Sequence, residues 1–157
     1  MPEKYMPEKR NYGYLALFLV VCYGVAAFGA QFPPGEWYQS LNRAPWNPPN
    51  FVFPLVWTIL YAMIAVAGWI IFSASNTSLK QLWVAQLVLN GVWSWLFFGQ
   101  HWVGLALLDI VLLAVVLALL VGLCFRTRHQ VAGVLLAPYL AWILLATSLN
   151  TYIFWFN

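Results

Sequence analysis

Five long apolar segments occupy most of this 157-residue chain. They cover residues 13–32, 51–72, 79–99, 103–125 and 131–154. A helix needs about 20 apolar residues to cross about 30 Å of hydrocarbon, and it satisfies its own backbone hydrogen bonds there. The segments therefore predict an all-α fold, an integral membrane bundle of five transmembrane helices.

Composition and loop length agree with a membrane bundle. Charged residues make up 7% of the chain and hydrophobic residues 64%, whereas about 25% of a typical soluble domain is charged. The connections after the second, third and fourth helices are short, so successive helices should be antiparallel neighbours. We expect residues 1–12 to form an N-terminal segment and residues 13–157 to form a single domain in the lipid bilayer.

Six of the seven lysines and arginines should lie on one side of the membrane. They are Lys4, Lys9 and Arg10 before the first helix, Lys80 near the second loop, and Arg126 and Arg128 in the fourth loop. By the positive-inside rule, the N-terminus is expected in the cytoplasm, and the first loop and the C-terminus on the opposite side. The net charge of +3 then reflects topology, and no nucleic-acid partner is expected.

The first apolar segment has an alternative interpretation. Lys9 and Arg10, an apolar run and the small residues near position 30 also fit a secretory signal peptide. The run is long for the core of a signal peptide, and Pro33 and Pro34 follow it. A first transmembrane helix is therefore favoured.

Polar and aromatic side chains share one face in three of the predicted helices. The sets are Trp57, Tyr61 and Gly68 in the second helix, Gln86, Asn90 and Trp93 in the third, and Tyr139, Trp142, Ala146 and Asn150 in the fifth. Amides and small residues often hold transmembrane helices together, which is one interpretation of these faces. Tryptophan rings hold backbones apart instead, so the sets favour an internal pocket.

The remaining chemistry-bearing residues are isolated. Asp109 is the only acid within a predicted span, which makes it either a proton or cation site or a carboxyl group that is protonated or hydrogen-bonded to a neighbouring Trp or Tyr. The latter is favoured because no span offers a second acid or a basic partner.

Cys22 and Cys124 differ in depth by more than a disulfide permits, so we expect both to be packing residues. His101 and His129 lie on opposite sides and cannot share a metal.

The first loop, residues 33–50, combines prolines with aromatic residues. Prolines 33 and 34 end the first helix, prolines 45, 48 and 49 fix φ within the loop, and proline 54 fits the opening turn of the second helix. Residues 36–42 could form a short helical turn. Because the fixed φ angles leave little conformational entropy to lose, we expect an ordered lid that carries Trp37, Tyr38 and Trp46 over the mouth of the pocket.

Three groups of motifs follow one another along the chain. They are Trp37-Tyr38, Pro45-Trp46-Asn47-Pro48-Pro49 and Phe53-Pro54-Leu55-Val56-Trp57-Thr58 around the first loop; Ala85-Gln86-Leu87, Asn90, Trp93 and Phe97-Phe98-Gly99 in the third helix; and Pro138-Tyr139-Leu140-Ala141-Trp142, Ala146-Thr147 and Leu149-Asn150 in the fifth. In this order, over nearly the whole chain, they resemble the tryptophan-rich sensory protein and translocator protein family.

The resemblance implies a five-helix bundle, typically a homodimer, that binds tetrapyrroles such as protoporphyrin IX and haem in a pocket beneath the first loop. It assigns Trp46, Trp57, Asn90, Trp93, Tyr139 and Trp142 to the pocket, with Ala146 at a position that modulates ligand binding. Trp37 and Tyr38 of the lid and Tyr61 of the second helix complete the predicted site. No tightly bound cofactor and no metal site are expected.

The resemblance also leaves alternatives open. Bacterial relatives are reported to degrade protoporphyrin in light and oxygen, which would make Trp57 and Trp142 catalytic. A porphyrin transporter is a third possibility, although only Pro138 offers a kink. Arg43 is a candidate partner for a ligand carboxylate, or else a solvated loop charge. No Lys or Arg follows Tyr152, so sterol recognition by the motif of animal relatives is in doubt.

Overall fold

The computed structural model describes residues 11–157, so the predicted N-terminal segment, with Lys4, Lys9 and Arg10, lies almost wholly outside the described residues. The described residues form six α-helices: α1 (Tyr12–Gly29), α2 (Gly35–Ser40), α3 (Val52–Phe72), α4 (Thr77–Ser94), α5 (Val103–Arg126) and α6 (Gln130–Phe156). A π-helical turn, Trp95–Gly99, continues α4. All except α2 are long and apolar enough to span a membrane, which confirms the prediction of an all-α bundle with five transmembrane helices.

The boundaries of the spans differ from the prediction mainly at the end of α1. This helix ends at Gly29, three residues before residue 32. The amides of Gln31 and Phe32 then bond to carbonyls three residues back, Phe28 and Gly29, because the tighter turn leads into Pro33, which disfavours α-helical geometry in the residue before it.

The five spanning helices pack in a closed ring. Going round the ring, the order is α1, α3, α6, α5, α4 and back to α1. Helix α1 is the most peripheral, with one buried residue, Cys22, against eight in α3. Cys22 and Cys124 are both free and buried, as predicted. Large apolar side chains on the outer faces, such as Val20, Leu108 and Leu119, are exposed, as expected where the surrounding solvent is lipid.

The ring is filled at the end away from the first loop. Here α3 and α4 approach closely, and a Cβ atom built on Gly68 would lie 2.5 Å from ring atoms of Trp83. The indole N–H of Trp83 donates to the carbonyl of Ile64 at 3.1 Å. Fully buried Leu79, Leu120 and Leu136 complete this part of the core. Side chains therefore fill this end of the bundle, whereas a cavity lies at the other.

The first loop is folded onto the open end of the ring. Its short helix α2 lies close to the predicted turn at residues 36–42. Asn42 and Asn157 exchange two hydrogen bonds, from the amide of Asn42 to Oδ1 at 2.8 Å and from Nδ2 to the carbonyl of Asn42 at 3.1 Å. The indole N–H of Trp46 donates to Oγ of Ser148 at 3.1 Å. We call residues 33–50 the lid, since these contacts hold the segment against α6.

Candidate ligand-binding site

A cavity of about 750 Å³ lies between the spanning helices and the lid. This volume is within the range of about 300–1,000 Å³ that is usual for sites that bind small organic molecules. The cavity is lined by side chains from the lid and from all five spanning helices, among them Tyr23, Tyr38, Asn50, Phe53, Trp57, Thr58, Tyr61, Asn90, Trp93, Ser94, Phe97, Phe98, Ile110, Leu113, Trp142, Ala146 and Asn150. Its wall is mainly apolar and rich in aromatic rings.

A hydrogen-bonded chain fixes three helices at the inner wall. The hydroxyl of Tyr61 donates to Oδ1 of Asn90 at 2.7 Å, and Nδ2 of Asn90 donates to the hydroxyl of Tyr139 at 2.7 Å. These bonds join α3, α4 and α6, and all three residues are buried. Tyr61 and Asn90 line the cavity, whereas Tyr139 is not among the lining residues. Tyr139 therefore supports the wall by orienting the amide of Asn90.

A second chain orients Trp93. Its indole N–H donates to Oδ1 of Asn150 at 3.0 Å, and Nδ2 of Asn150 donates to the carbonyl of Val103 at 3.2 Å. The ring of Trp93 also stacks on Phe97, with centroids 5.0 Å apart and an interplanar angle of 16°. The indole is thereby fixed both by its polar edge and by one face.

The π-helical turn brings two consecutive rings to the cavity. Phe97 and Phe98 both line it, although adjacent residues of a regular α-helix point about 100° apart. In the turn, the amide of Gln100 donates to the carbonyl of Trp95 at 2.9 Å, five residues back, and such wider turns are frequent at functional sites. The sequence analysis noted these phenylalanines in a motif but did not place them in the site.

Trp57, Trp142 and Ala146 line the cavity from α3 and α6. Trp57 contacts Tyr61, with ring centroids 5.3 Å apart, and Trp142 meets the edge of Phe53 at 5.7 Å. The helical faces identified from the sequence thus bring these residues into one enclosed space. The rings form a wall of π-faces and edges, the geometry in which aromatic groups pack most favourably.

The lid residues divide into two groups. Tyr38 lines the cavity, and the guanidinium of Arg43 lies 5.3 Å from the centroid of its ring, a cation–π contact. Trp37 instead stacks on His101, with centroids 3.9 Å apart and rings within 8° of parallel. Trp46 is 52% exposed and meets the edge of Tyr152 at 5.6 Å. Neither tryptophan is among the lining residues; both attach the lid to the bundle.

Two buried polar side chains of the sequence analysis lie outside the lining. Gln86 is fully buried, and neither atom of its amide group has a hydrogen-bond partner in the described part of the chain. Asp109 is 9% exposed, and its Oδ2 has no partner there either. The sequence favoured a carboxyl group of Asp109 that is either protonated or hydrogen-bonded to a Trp or Tyr. Such a hydrogen bond is not formed by this oxygen.

Sequence reasoning missed several lining residues, among them Tyr23 of α1 and Ile110 and Leu113 of α5. Helix α1 carries no charged or amide side chain that would separate an inward face from a lipid-facing one. In α5, Asp109 lies four residues before Leu113 and so shares its face, a signal that could have indicated the inward side of this helix.

The fold and site define an integral multi-pass membrane protein whose five helices enclose an aromatic cavity beneath a structured loop. Comparison with known proteins then gives its family. The family model described as TspO/MBR family matches residues 16–156, and the chain belongs to this family.

Named relatives support the assignment over most of the chain. The chain is 38% identical to the "Tryptophan-rich sensory protein" of Cereibacter sphaeroides over 135 residues, 85% of this chain and 84% of that protein. It is 35% identical to "Protein CrtK" of Rhodobacter capsulatus, over 86% of this chain and 87% of that one. It is 36% identical to the "Translocator protein" of Bos taurus, over 78% and 77% of the two chains.

Proposed function

We propose that this protein is a membrane receptor that binds tetrapyrroles, such as protoporphyrin IX or haem, and similar flat aromatic molecules in the cavity beneath the lid. The observation that carries the proposal is the composition of the cavity wall, in which Trp57, Trp93 and Trp142 come from three helices and surround one space of about 750 Å³. A flat, apolar π-system can stack against such rings, and this adds about 0.5–1.5 kcal/mol per pair to the burial of its surface.

Polar groups at the lid end suit the carboxylates of such a ligand. Gln39 and Asn50 line the cavity near its mouth, and Ser94 lines it from α4. Arg43 packs over Tyr38 at the same end, where it can pair with a propionate. The ligand would therefore lie with its macrocycle among the rings and its carboxylates toward the mouth, where water can reach them.

The residues of the cavity wall also bear on whether the protein should distinguish a metal-free porphyrin from haem. No His, Cys or Met is among the residues that line the cavity in the described part of the chain. The hydroxyls of Tyr23, Tyr38 and Tyr61 are each engaged in a hydrogen bond. We therefore propose that recognition rests on the face of the macrocycle and not on an axial ligand to iron.

A fluorescence titration tests the proposal. Protoporphyrin IX should quench tryptophan fluorescence saturably in the protein reconstituted into nanodiscs. Trp142→Ala should raise the dissociation constant about tenfold or more, which corresponds to about 1.4 kcal/mol and to the loss of one stacked ring. Trp155→Ala is the matched control, because Trp155 lies on the same helix, is 73% exposed and does not line the cavity. A linear, non-saturable titration would remove the proposal.

One observation favours a second candidate, the light-dependent degradation of porphyrin. Trp57 and Trp142, the tryptophans expected to be catalytic if porphyrin degradation occurs, line the same cavity. A bound porphyrin would therefore contact indoles that can exchange an electron with its excited state. Under light and oxygen, the absorbance of bound protoporphyrin IX should decay faster than that of the free dye, and more slowly in Trp57→Phe. Equal decay of bound and free dye would exclude this activity.

The resemblance to the family also supports a homodimer, and the distribution of lysines and arginines supports a cytoplasmic N-terminus. Mass photometry of single nanodiscs tests the first proposal, since a dimer doubles the protein mass per disc. Protease accessibility of an N-terminal tag in oriented vesicles tests the second.

A further inference from the structure

Four of the residues that line the cavity from the spanning helices and their ends are exposed. Tyr23 and Ala30 belong to α1 and its C-terminal cap, and Pro54 and Thr58 belong to α3. In the described part of the chain, none of the lining residues from α4, α5 or α6 is exposed. The exposed lining residues of the lid belong to the mouth. Of the helical ones, Tyr23 and Thr58 meet across the seam between α1 and α3.

This seam reaches well below the mouth. Tyr23 precedes the end of α1 by six residues, and Thr58 follows the start of α3 by six. At 1.5 Å per residue, both lie about 9 Å from the helix ends, inside a hydrocarbon layer about 30 Å thick. Any surface of these residues on the outside of the bundle would therefore meet acyl chains and not water.

One large side chain bridges the seam. The hydroxyl of Tyr23 donates to the backbone carbonyl of Thr58 at 2.7 Å. The other lining residues of α1 toward this end are small: Ala26, Gly29 and Ala30. Tyr23 is itself 38% exposed, and its ring centroid lies 6.3 Å from that of Tyr61, which lines the inner wall. Movement of this one ring would connect the cavity with the surrounding hydrocarbon.

We infer that the cavity opens sideways into the bilayer between α1 and α3, through a portal that Tyr23 closes. The inference rests on the proposed function for the identity of the ligand, a flat apolar molecule dissolved in the membrane. The route through the lid requires the loss of two bonds between Asn42 and Asn157, one between Trp46 and Ser148, and the stacking of Trp37 on His101. The lateral route requires the loss of one hydrogen bond, from Tyr23 to Thr58, and of the ring contact between Tyr23 and Tyr61.

Association kinetics with two porphyrins test the portal in nanodiscs. Protoporphyrin IX dimethyl ester carries no charge and is delivered from donor membranes, whereas a sulfonated deuteroporphyrin is delivered from water. Tyr23→Phe removes the bond to Thr58 and should speed association of the ester about fivefold, which corresponds to about 1 kcal/mol. Ala30→Trp places bulk at the seam and should slow the ester at least about tenfold relative to the sulfonated porphyrin.

Two matched variants control for changes on the lipid face of α1. Tyr14→Phe and Ala27→Trp make the same substitutions at exposed positions that do not line the cavity. Both should leave the two association rates unchanged. Equal changes for the ester and the sulfonated porphyrin in the seam variants, or no change for either, would overturn the lateral route.

A ligand-free measurement separates failure of the portal from failure of the proposed function. Lipids with brominated acyl chains quench tryptophans that the chains can contact. The fluorescence of Trp57 is obtained by subtracting the fluorescence of the Trp57→Phe variant. Brominated lipids should quench this fluorescence more strongly in Tyr23→Ala than in the parent protein. The quenching should be unchanged in Tyr14→Ala. If the protein binds neither porphyrin, the proposed function fails, but the quenching result still tests the portal. Unchanged quenching of Trp57 in Tyr23→Ala would reject the portal.

Discussion

The close approach of α3 and α4 at Gly68 gives the sharpest test of how the bundle is closed. In Gly68→Ala, the new Cβ would lie 2.5 Å from Cε2 and Cζ2 of Trp83 and 2.8 Å from Nε1, distances that real Cβ contacts do not show. The indole cannot retreat freely, because its N–H donates to the carbonyl of Ile64 and its ring packs edge-on against Phe18, with centroids 5.2 Å apart.

The expected cost follows from three contributions. Overpacking a core costs about 1–3 kcal/mol, and disturbing the hydrogen bond to Ile64 costs about 1 kcal/mol. Alanine is favoured over glycine within a helix by about 1 kcal/mol, which offsets part of this. We therefore expect Gly68→Ala to lower the free energy of unfolding by about 1–3 kcal/mol, measured by denaturation in mixed micelles and followed by tryptophan fluorescence.

Two further variants decide whether the indole is the cause. Gly122 of α5 has nothing within 4 Å of a built Cβ, so Gly122→Ala should be neutral or stabilising by up to about 1 kcal/mol. In a Trp83→Leu background, which removes the indole atoms that the Cβ would meet, Gly68→Ala should cost less than about 1 kcal/mol, because contacting residues are energetically coupled. An equal cost of Gly68→Ala with and without Trp83 would refute the reasoning, as would a Gly68→Ala protein as stable as Gly122→Ala.

Three other predictions concern the cavity and its lid. Asn90→Ala leaves the hydroxyls of Tyr61 and Tyr139 without the amide between them, and should lower the free energy of unfolding by about 1–3 kcal/mol; chemical denaturation measures this. Ser148→Ala removes the acceptor for the indole N–H of Trp46, so hydrogen exchange in residues 33–50 should speed up about fivefold, as the loss of about 1 kcal/mol implies, while exchange in α5 is unchanged. Protoporphyrin IX and haem should bind with dissociation constants within about threefold of each other, a difference below about 1 kcal/mol, in parallel quenching titrations; a hundredfold preference for haem would indicate an axial ligand.

The amino-acid sequence determined the number and position of the spanning helices, because membrane thickness requires apolar segments of a certain length and composition. It also determined much of the aromatic wall. Trp57, Trp93 and Trp142 share helical faces with polar residues, and in lipid such faces turn inward. The motifs around these residues were sufficient to indicate the family to which the chain belongs.

The tertiary structure decided which residues of each of these faces line the cavity. The helical period places Gln86, Asn90 and Trp93 on one side of α4, yet Asn90 and Trp93 line the cavity and Gln86 lies outside the lining. The same holds for Tyr139, which supports Asn90 from behind. Gln86 lies about one helical turn below Asn90, whereas Tyr139 lies behind Asn90 and contacts it through its hydroxyl. Both placements depend on where neighbouring helices close the ring, which no local pattern records.

The lid and the seam depended on contacts between distant parts of the chain. Prolines stiffen residues 33–50, but the contact of Asn42 with Asn157, 115 residues away, determines where that rigid segment rests and leaves Trp37 and Trp46 at its edges. Likewise, nothing in the uniformly apolar α1 distinguishes Tyr23 until α3 lies beside it. Local sequence fixes helix length and periodicity, whereas the space enclosed between helices is a property of their mutual packing.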